Sequence, residues 1–512
     1  MKFTLGALAV ACALAKANAA TSDPVTLVKD IYPGETSSNP IGLTLFDGRV
    51  YFAANGENTG VELYVSDGEP NGTFLLKDIN PGSGSSNPSG FTEFGGKLYF
   101  RADDGTNGSE LWVTDGTTDG TFMVSDINQG SSSSNPSDFV VLGDNMVFEA
   151  TTADTGSELW VTDGTKDGTK LLDDIQEGSG SSSPQLRPEY KVGKDQLVFT
   201  ADDGVHGNSL FSTNGTAGGT IFLKNITSDS SGDNTILSRS LDSSNDKIYF
   251  SLGPDLWVTD GTKSGTKLVQ EGVSIGGASR ISPYTLDGKT LFFGSKGNDT
   301  TDNLWETDGT ESGTKVLFTG LESTEKNRGA SSTFGIGFGP VIDNMMSLLA
   351  DNGMGVNIWV TDGSTVKPLI EATFTWVLAV KPSSDGNEAF FLLKNDTALD
   401  LWVSDYTQRN TKRVATFPNG ISTSVGDAVA LDAATALFTV NTPEYGVELW
   451  KLEVDSSNES PTPSPDNSDE RPTRAPTTSR PDPPEFQNSG AALTSIVVAS
   501  ALALAVNILN LA

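Results

Sequence analysis

The sequence predicts an all-β protein, a single β-propeller of about nine four-stranded blades closed by its N-terminal strand, with an extended C-terminal stalk. Three observations predict it. First, a Leu-aromatic pair recurs at Leu63-Tyr64, Leu111-Trp112, Leu159-Trp160, Leu210-Phe211, Leu256-Trp257, Leu304-Trp305, Leu401-Trp402 and Leu449-Trp450, with Ile358-Trp359 as its variant. The intervals run from 43 to 54 residues and are most often 48, a period that marks stacked supersecondary units. Second, each unit breaks into short apolar runs bounded by Gly or Asp-Gly, without helical periodicity. Third, the repeat opens and closes in mid-unit.

The unit at 89–127 shows the pattern. Phe91 to Phe94 reads as a first strand ended by Gly95-Gly96. Lys97 to Ala102 alternates, with Leu98, Phe100 and Ala102 on one face and Tyr99 on the other. Asp103 to Gly108 is turn-rich, Glu110 to Thr114 is a third strand, and Asp115-Gly116-Thr117 to Gly120 turns the chain into a fourth, Thr121 to Ile127. Apolar residues on both faces mean that a sheet this small must be covered on both sides by copies of itself.

The termini decide between an open stack and a ring. Val25 to Ile31 matches a fourth strand, while Val447 to Val454 matches a third. The N-terminus therefore supplies the strand that the last unit lacks. An open solenoid would need polar capping repeats instead. The last three units, Thr333 to Asp362, Thr373 to Asp405 and Ile421 to Trp450, are degenerate, which leaves eight blades as the alternative count.

The run Glu110-Leu111-Trp112-Val113-Thr114-Asp115-Gly116-Thr117 resembles the ELWxxDGT-repeat family of secreted and surface proteins. The wording recurs at Glu158 to Thr165 and, less fully, at Leu256 to Thr262 and Leu304 to Thr310. The resemblance spans about residues 25–454 and implies a propeller-like array without a defined activity. Tyr64 for Trp, Asn214 for Asp and Tyr406 for Gly are departures confined to single turns.

The two ends read as addresses. Residues 1–19 carry Lys2, an apolar run and Ala17-Asn18-Ala19, a secretory signal cut after Ala19 or Ala20. Residues 455–487 are rich in Pro, Ser and Thr and have little to bury, as expected of a disordered stalk. Residues 489–512 end in an apolar tail, Ile496 to Ala512, with small residues before it. That pattern predicts a GPI-anchor signal with attachment at Ser489 or Asn488. The tail's 17 residues span roughly 25 Å as helix, short of a hydrocarbon core of about 30 Å.

The net charge of −33 argues against nucleic acid and anionic lipid as partners and admits cations, basic proteins or a cationic mineral surface. The only cysteine, Cys12, leaves with the signal, so the mature chain has no disulfide or thiol nucleophile. The lone histidine, His206, lies in a loop where other units have Asn107 and Thr155, and reads as a solvated turn residue.

The recurrent Trp residues read as packing between blades; Trp376 alone falls outside their register. The Asp-Gly pairs at Asp67, Asp115, Asp163, Asp260, Asp308 and Asp362 read as turn formers, with calcium ligation the alternative. No catalytic residue and no metal ligand is assigned. A ligand-binding rim is expected where the Ser-rich connectors 33–40, 81–88, 129–136 and 177–184 lie beside Asp103, Asp104, Asp202 and Asp203. Sequons at Asn71, Asn107, Asn214, Asn225, Asn298, Asn395 and Asn458 are candidate N-glycan sites. Together these features predict a monomeric, GPI-anchored surface protein that binds an extracellular glycan or protein and needs no cofactor, calcium excepted. An anchored carbohydrate-active hydrolase or lyase, and a calcium- or mineral-binding surface protein, are the alternatives.

Overall fold

Among the described residues, nine antiparallel sheets follow one another along the chain, eight of four strands and one of five. In chain order they span 41–77, 89–125, 137–173, 191–225, 236–270, 273–318, 338–374, 376–418 and 425–453, and are numbered one to nine. The computed structural model describes residues 25–226, 236–239, 247–275, 284–286, 288–296, 303–319, 338–351, 356–374, 376–382, 389–394, 398–418, 425–431, 435–442 and 444–453. The secretory signal, the stalk, the GPI-anchor signal with Asn488 and Ser489, and the sequons Asn298, Asn395 and Asn458 lie outside the described residues. Among the described residues there is no α-helix, and a short 3-10 turn at Pro188–Tyr190 interrupts the strands.

Sheet two shows how the residues make the unit. Its strands are Ser89–Phe94, Lys97–Asp103, Ser109–Thr114 and Phe122–Ser125, paired in that order. Gly95 and Gly96 both take positive φ in the tight link between the first two strands, a conformation that glycine adopts without steric cost. In the last pair the register slips between Leu111↔Ser125 and Trp112↔Met123, so a bulge bends the outermost strand. The same slip follows Leu159, Leu210, Leu256, Leu304 and Leu401.

Alternation sends the side chains of sheet two to two neighbours. Leu98, Phe100, Ala102 and Trp112 pack with Tyr51, Leu63 and Val65 of sheet one. Tyr99, Leu111 and Val113 pack the other way, with Met146, Phe148 and Trp160 of sheet three. Equivalent clusters join three to four, four to five, five to six, six to seven and seven to eight. The recurrent aromatic is thus an inter-sheet filler, and Trp112 and Trp305 are 6% and 3% exposed. Trp376 opens the first strand of sheet eight, Trp376–Pro382. The degenerate C-terminal units still form separate sheets, which makes nine among the described residues.

The N-terminal strand Val25–Lys29 completes sheet nine. It pairs antiparallel with Gly446–Glu453 through Val25↔Leu452, Thr26↔Lys451 and Leu27↔Trp450. Its Val28 packs with Leu43 and Phe52 of sheet one and Val429 and Leu437 of sheet nine. The Lys29 ammonium donates to the carbonyl of Thr73 at 2.6 Å, and Lys451 pairs with Glu69 at 2.6 Å across the same seam. The two ends of the repeat region therefore share one sheet and one apolar cluster. Deleting Val25–Lys29 should lower the melting temperature by about 5 °C or more, because it strips a ladder and uncovers that cluster. Differential scanning calorimetry of the intact and shortened proteins checks this.

Candidate functional site

The connectors that carry the predicted rim are anchored by a glutamate that sequence reasoning had treated as part of a motif only. Glu62, Glu110, Glu158 and Glu448 are fully buried, one in each of sheets one, two, three and nine. Each accepts hydrogen bonds from the connector that leaves its own sheet. The N–H of Ile127 donates to Glu110 Oε2 at 2.8 Å, the N–H of Ser134 to Oε1 at 2.8 Å, and the Ser134 hydroxyl to Oε2 at 2.6 Å. Ile79 and Ser86 bind Glu62 in the same way. So do Ile175 and Ser182 on Glu158. Glu448 receives Ile31 and Ser38 from the opposite end of the chain. The signal that could have revealed these clamps is the fixed step of 24 residues from Glu62, Glu110 and Glu158 to Ser86, Ser134 and Ser182.

The far side of each connector is held by the following sheet. Asn55, Asp103, Thr151 and Asp202 donate their N–H groups to the carbonyls of Ser38, Ser86, Ser134 and Ser182. Close approach makes glycine necessary where the loop between second and third strands meets the connector. Gly60 and Gly156 have φ of +64° and +65°, and a Cβ on them would stand 2.0 and 1.9 Å from the carbonyl oxygens of Gly84 and Gly180.

This geometry puts Asp103 beside its connector and Asp202 beside another, as the sequence predicts. It does not bring the four rim aspartates together, since Asp103 and Asp104 belong to sheet two and Asp202 and Asp203 to sheet four. Their carboxylates are turned inward on their own loops. Asp103 accepts the N–H of Gly105, and Asp104 accepts those of Thr106 and Asn107 together with the Asn107 amide. Asp202 accepts Gly204; Asp203 accepts Val205 and His206, and meets His206 Nδ1 at 2.7 Å. Burial alone would raise the Asp104 and Asp203 carboxyls, but these donors outweigh it and leave both below the ordinary carboxylate value. His206 is exposed and its ring packs against Phe222, so it strengthens a turn that Asn107 serves elsewhere.

The Asp-Gly turns at the other end of the sheets are equally self-contained. Asp115 Oδ1 accepts the N–H and hydroxyl of Thr117, and the Thr114 and Thr121 hydroxyls meet at 2.7 Å beneath it. Asp163, Asp260 and Asp308 repeat the arrangement. The Thr117 hydroxyl, more than its N–H, lowers the Asp115 carboxyl, and Thr165 and Thr310 do the same for Asp163 and Asp308. Among the described residues no three His, Cys, Asp or Glu side chains gather as a metal-binding group. Of the described sequons, Asn71, Asn214 and Asn225 are exposed, whereas the Asn107 amide donates to Asp104 Oδ2 at 2.8 Å. Asn214 takes the aspartate's place in its turn, its Oδ1 accepting the N–H and hydroxyl of Thr216.

Chemically, then, these are hydroxyl-bearing loops whose carboxylates already serve as acceptors for their own backbone. No family model and no curated protein matches the chain. Solved structures that resemble it include a prolyl endopeptidase, with TM-score 0.36, 12% identity, and 86% of this chain and 57% of that one covered. Oligopeptidase B from Leishmania major gives TM-score 0.35 at 9% identity, covering 69% and 53%. A puromycin hydrolase gives 0.33 at 13% identity, covering 79% and 58%. The chain thus spans little more than half the length of each. Superpositions this loose identify neither a shared activity nor a shared site.

Burial raises the carboxyls of Glu62, Glu110, Glu158 and Glu448 above their ordinary value of 4.5, although the serine and N–H donors oppose it. Each holds its proton to higher pH folded than unfolded. The resulting stability is therefore fully present below about pH 4.5 and is lost as pH rises through the folded pKa. Two outcomes are expected from thermal melts. Glu110→Ala should cost about 2–4 kcal/mol at neutral pH by leaving three buried donors unmet. The margin of the wild type over Glu110→Gln should widen as pH falls from 7 to 4, since glutamine cannot take up the proton.

Proposed function

We propose that the nine sheets close into a single nine-bladed propeller carried on the C-terminal stalk, and that the protein is GPI-anchored at the outer face of the plasma membrane as a binding or adhesion module. The observation that carries the ring is the Val25–Lys29 strand lying in sheet nine while its Val28 packs against sheet one. A ring leaves short edges only, which suits a body standing in the open. The resemblance to ELWxxDGT repeats and the sequence pattern of the two ends support surface display.

Binding is favoured over catalysis by where the rim carboxylates are spent. General acid-base chemistry needs a carboxyl within hydrogen-bond reach of a reacting group. Asp103, Asp104, Asp202 and Asp203 instead accept from their own turns. An extracellular glycan or protein is the ligand class, met by a monomer, with glycans at the exposed Asn71, Asn214 and Asn225. Anchoring is the part most directly tested. Phosphatidylinositol-specific phospholipase C should release the protein from intact cells, and replacing both Asn488 and Ser489 by bulky residues should prevent surface attachment. Protein that stays cell-bound after phospholipase treatment would overturn the anchor.

A further inference from the structure

The seam between sheets one and two is latched at its outer edge. The Lys77 ammonium donates to the carbonyl of Thr118 at 3.2 Å, and the Thr118 hydroxyl donates to the carbonyl of Leu76 at 2.9 Å. Leu76 lies on the outermost strand of sheet one, Phe74–Lys77, so the neighbouring turn caps that strand's backbone. Capping of this kind protects an edge from pairing with foreign strands.

The seam between sheets five and six has neither latch residue, as is also true between two and three, where Ser125 and Lys166 stand in their places. Pairing registers equate Lys77, opposite Leu63, with Gln270, opposite Leu256, and hence Leu76 with Val269. In the facing turns Asp308-Gly309-Thr310-Glu311 matches Asp115-Gly116-Thr117-Thr118, so Glu311 replaces the threonine. An ionised Glu311 has no hydrogen to donate to the carbonyl of Val269. Here the surface opens into a groove of about 640 Å³, lined by the whole strand Lys267–Gln270 with Glu271, Lys296 and the turn 309–311. The strand is the last of its sheet and, among the described residues, pairs only with Asp255–Thr259. Gln270 Oε1 is buried and accepts no hydrogen bond.

We propose that this groove binds an extended peptide carrying a lysine or arginine, added beside Lys267–Gln270 as a further strand. The proposal rests on the reading of the protein as a binding module and names its ligand class. An edge strand offers backbone donors and acceptors in register for a second chain. Leu268, 38% exposed, supplies an apolar contact on that strand. A basic side chain finds Glu311 or Glu271 within the groove and is drawn in by the net charge of −33. Lys267 and Lys296 disfavour a peptide that is basic throughout. Among the described residues the lining has no aromatic platform, which weighs against a saccharide.

The test uses the mature secreted protein and three synthetic decapeptides of alternating Val and Thr. One carries a central Lys, one a central Glu, and one a central Lys with two prolines that forbid strand pairing. Isothermal titration should show binding of the first peptide alone. The double variant Gln270→Lys, Glu311→Thr rebuilds the latch of the first seam; it should weaken that binding at least tenfold without lowering the melting temperature. Equal binding by wild type and latched variant overturns the proposal, as does equal binding of the Glu or proline peptide, or no binding at all. A protein that phospholipase releases and that binds a glycan array, yet ignores these peptides, keeps the preceding reading and loses this one.

Discussion

A carboxylate buried between a sheet and the loop that leaves it is the interaction on which the other features depend. Four short strands bury too little to stand alone, so each sheet must be held at a fixed distance from the next. The connector is the only covalent link between them. In sheets nine, one, two and three a glutamate fixes that link at two points, the isoleucine and the serine that follow. Burying a charge without partners would be prohibitive; three or more donors from one loop make it tolerable and make the loop's path specific. The apolar clusters then fill a gap whose width is already set.

The same economy runs through both ends of each sheet. At one end aspartate and threonine build the turn into the outermost strand, and at the other aspartate braces the loop between second and third strands. These groups face solvent at their edges yet have their oxygens committed to the backbone. An acidic, hydroxyl-rich surface can therefore be a structural by-product of tight turns. The −33 charge accumulates because the favoured turn residue is an acid in unit after unit.

Much of this was legible in the sequence, for a physical reason. A repeat writes the same environment many times, so the period, the strand alternation and the mid-unit ends report sheets, faces and the shared terminal sheet. Leu98 and Tyr99 fall on the faces that alternation assigns them. The rim was only half legible. Asp103 and Asp202 do sit beside Ser86 and Ser182, because loop adjacency follows from topology. The direction of their carboxylates did not follow, since it depends on Gly105 and Gly204 presenting N–H groups two residues on. The glutamate clamp was harder to read, because Glu110 and Ser134 sit in different words of the repeat and only their constant 24-residue step links them before folding brings them together.

If the repeated residues are consumed in holding the repeats together, then recognition must come from where the units differ. The clamp position passes from glutamate to Ser209, Asp255, Asn303 and Asn357 in sheets four to seven. Asp255 keeps one of the bonds, accepting the N–H of Gly272 at 2.8 Å, and Lys289 and Lys315 pair with Glu306 where sheets one, two, three and five have a valine in that strand. These changes stay within the scaffold, since Ser209, Asn303, Glu306 and Asn357 are all buried. The Lys77-Thr118 pair has no counterpart at the seam of sheets five and six, where an edge strand lies beside a groove. Divergence within the array, rather than its consensus, is where a ligand would find something to hold.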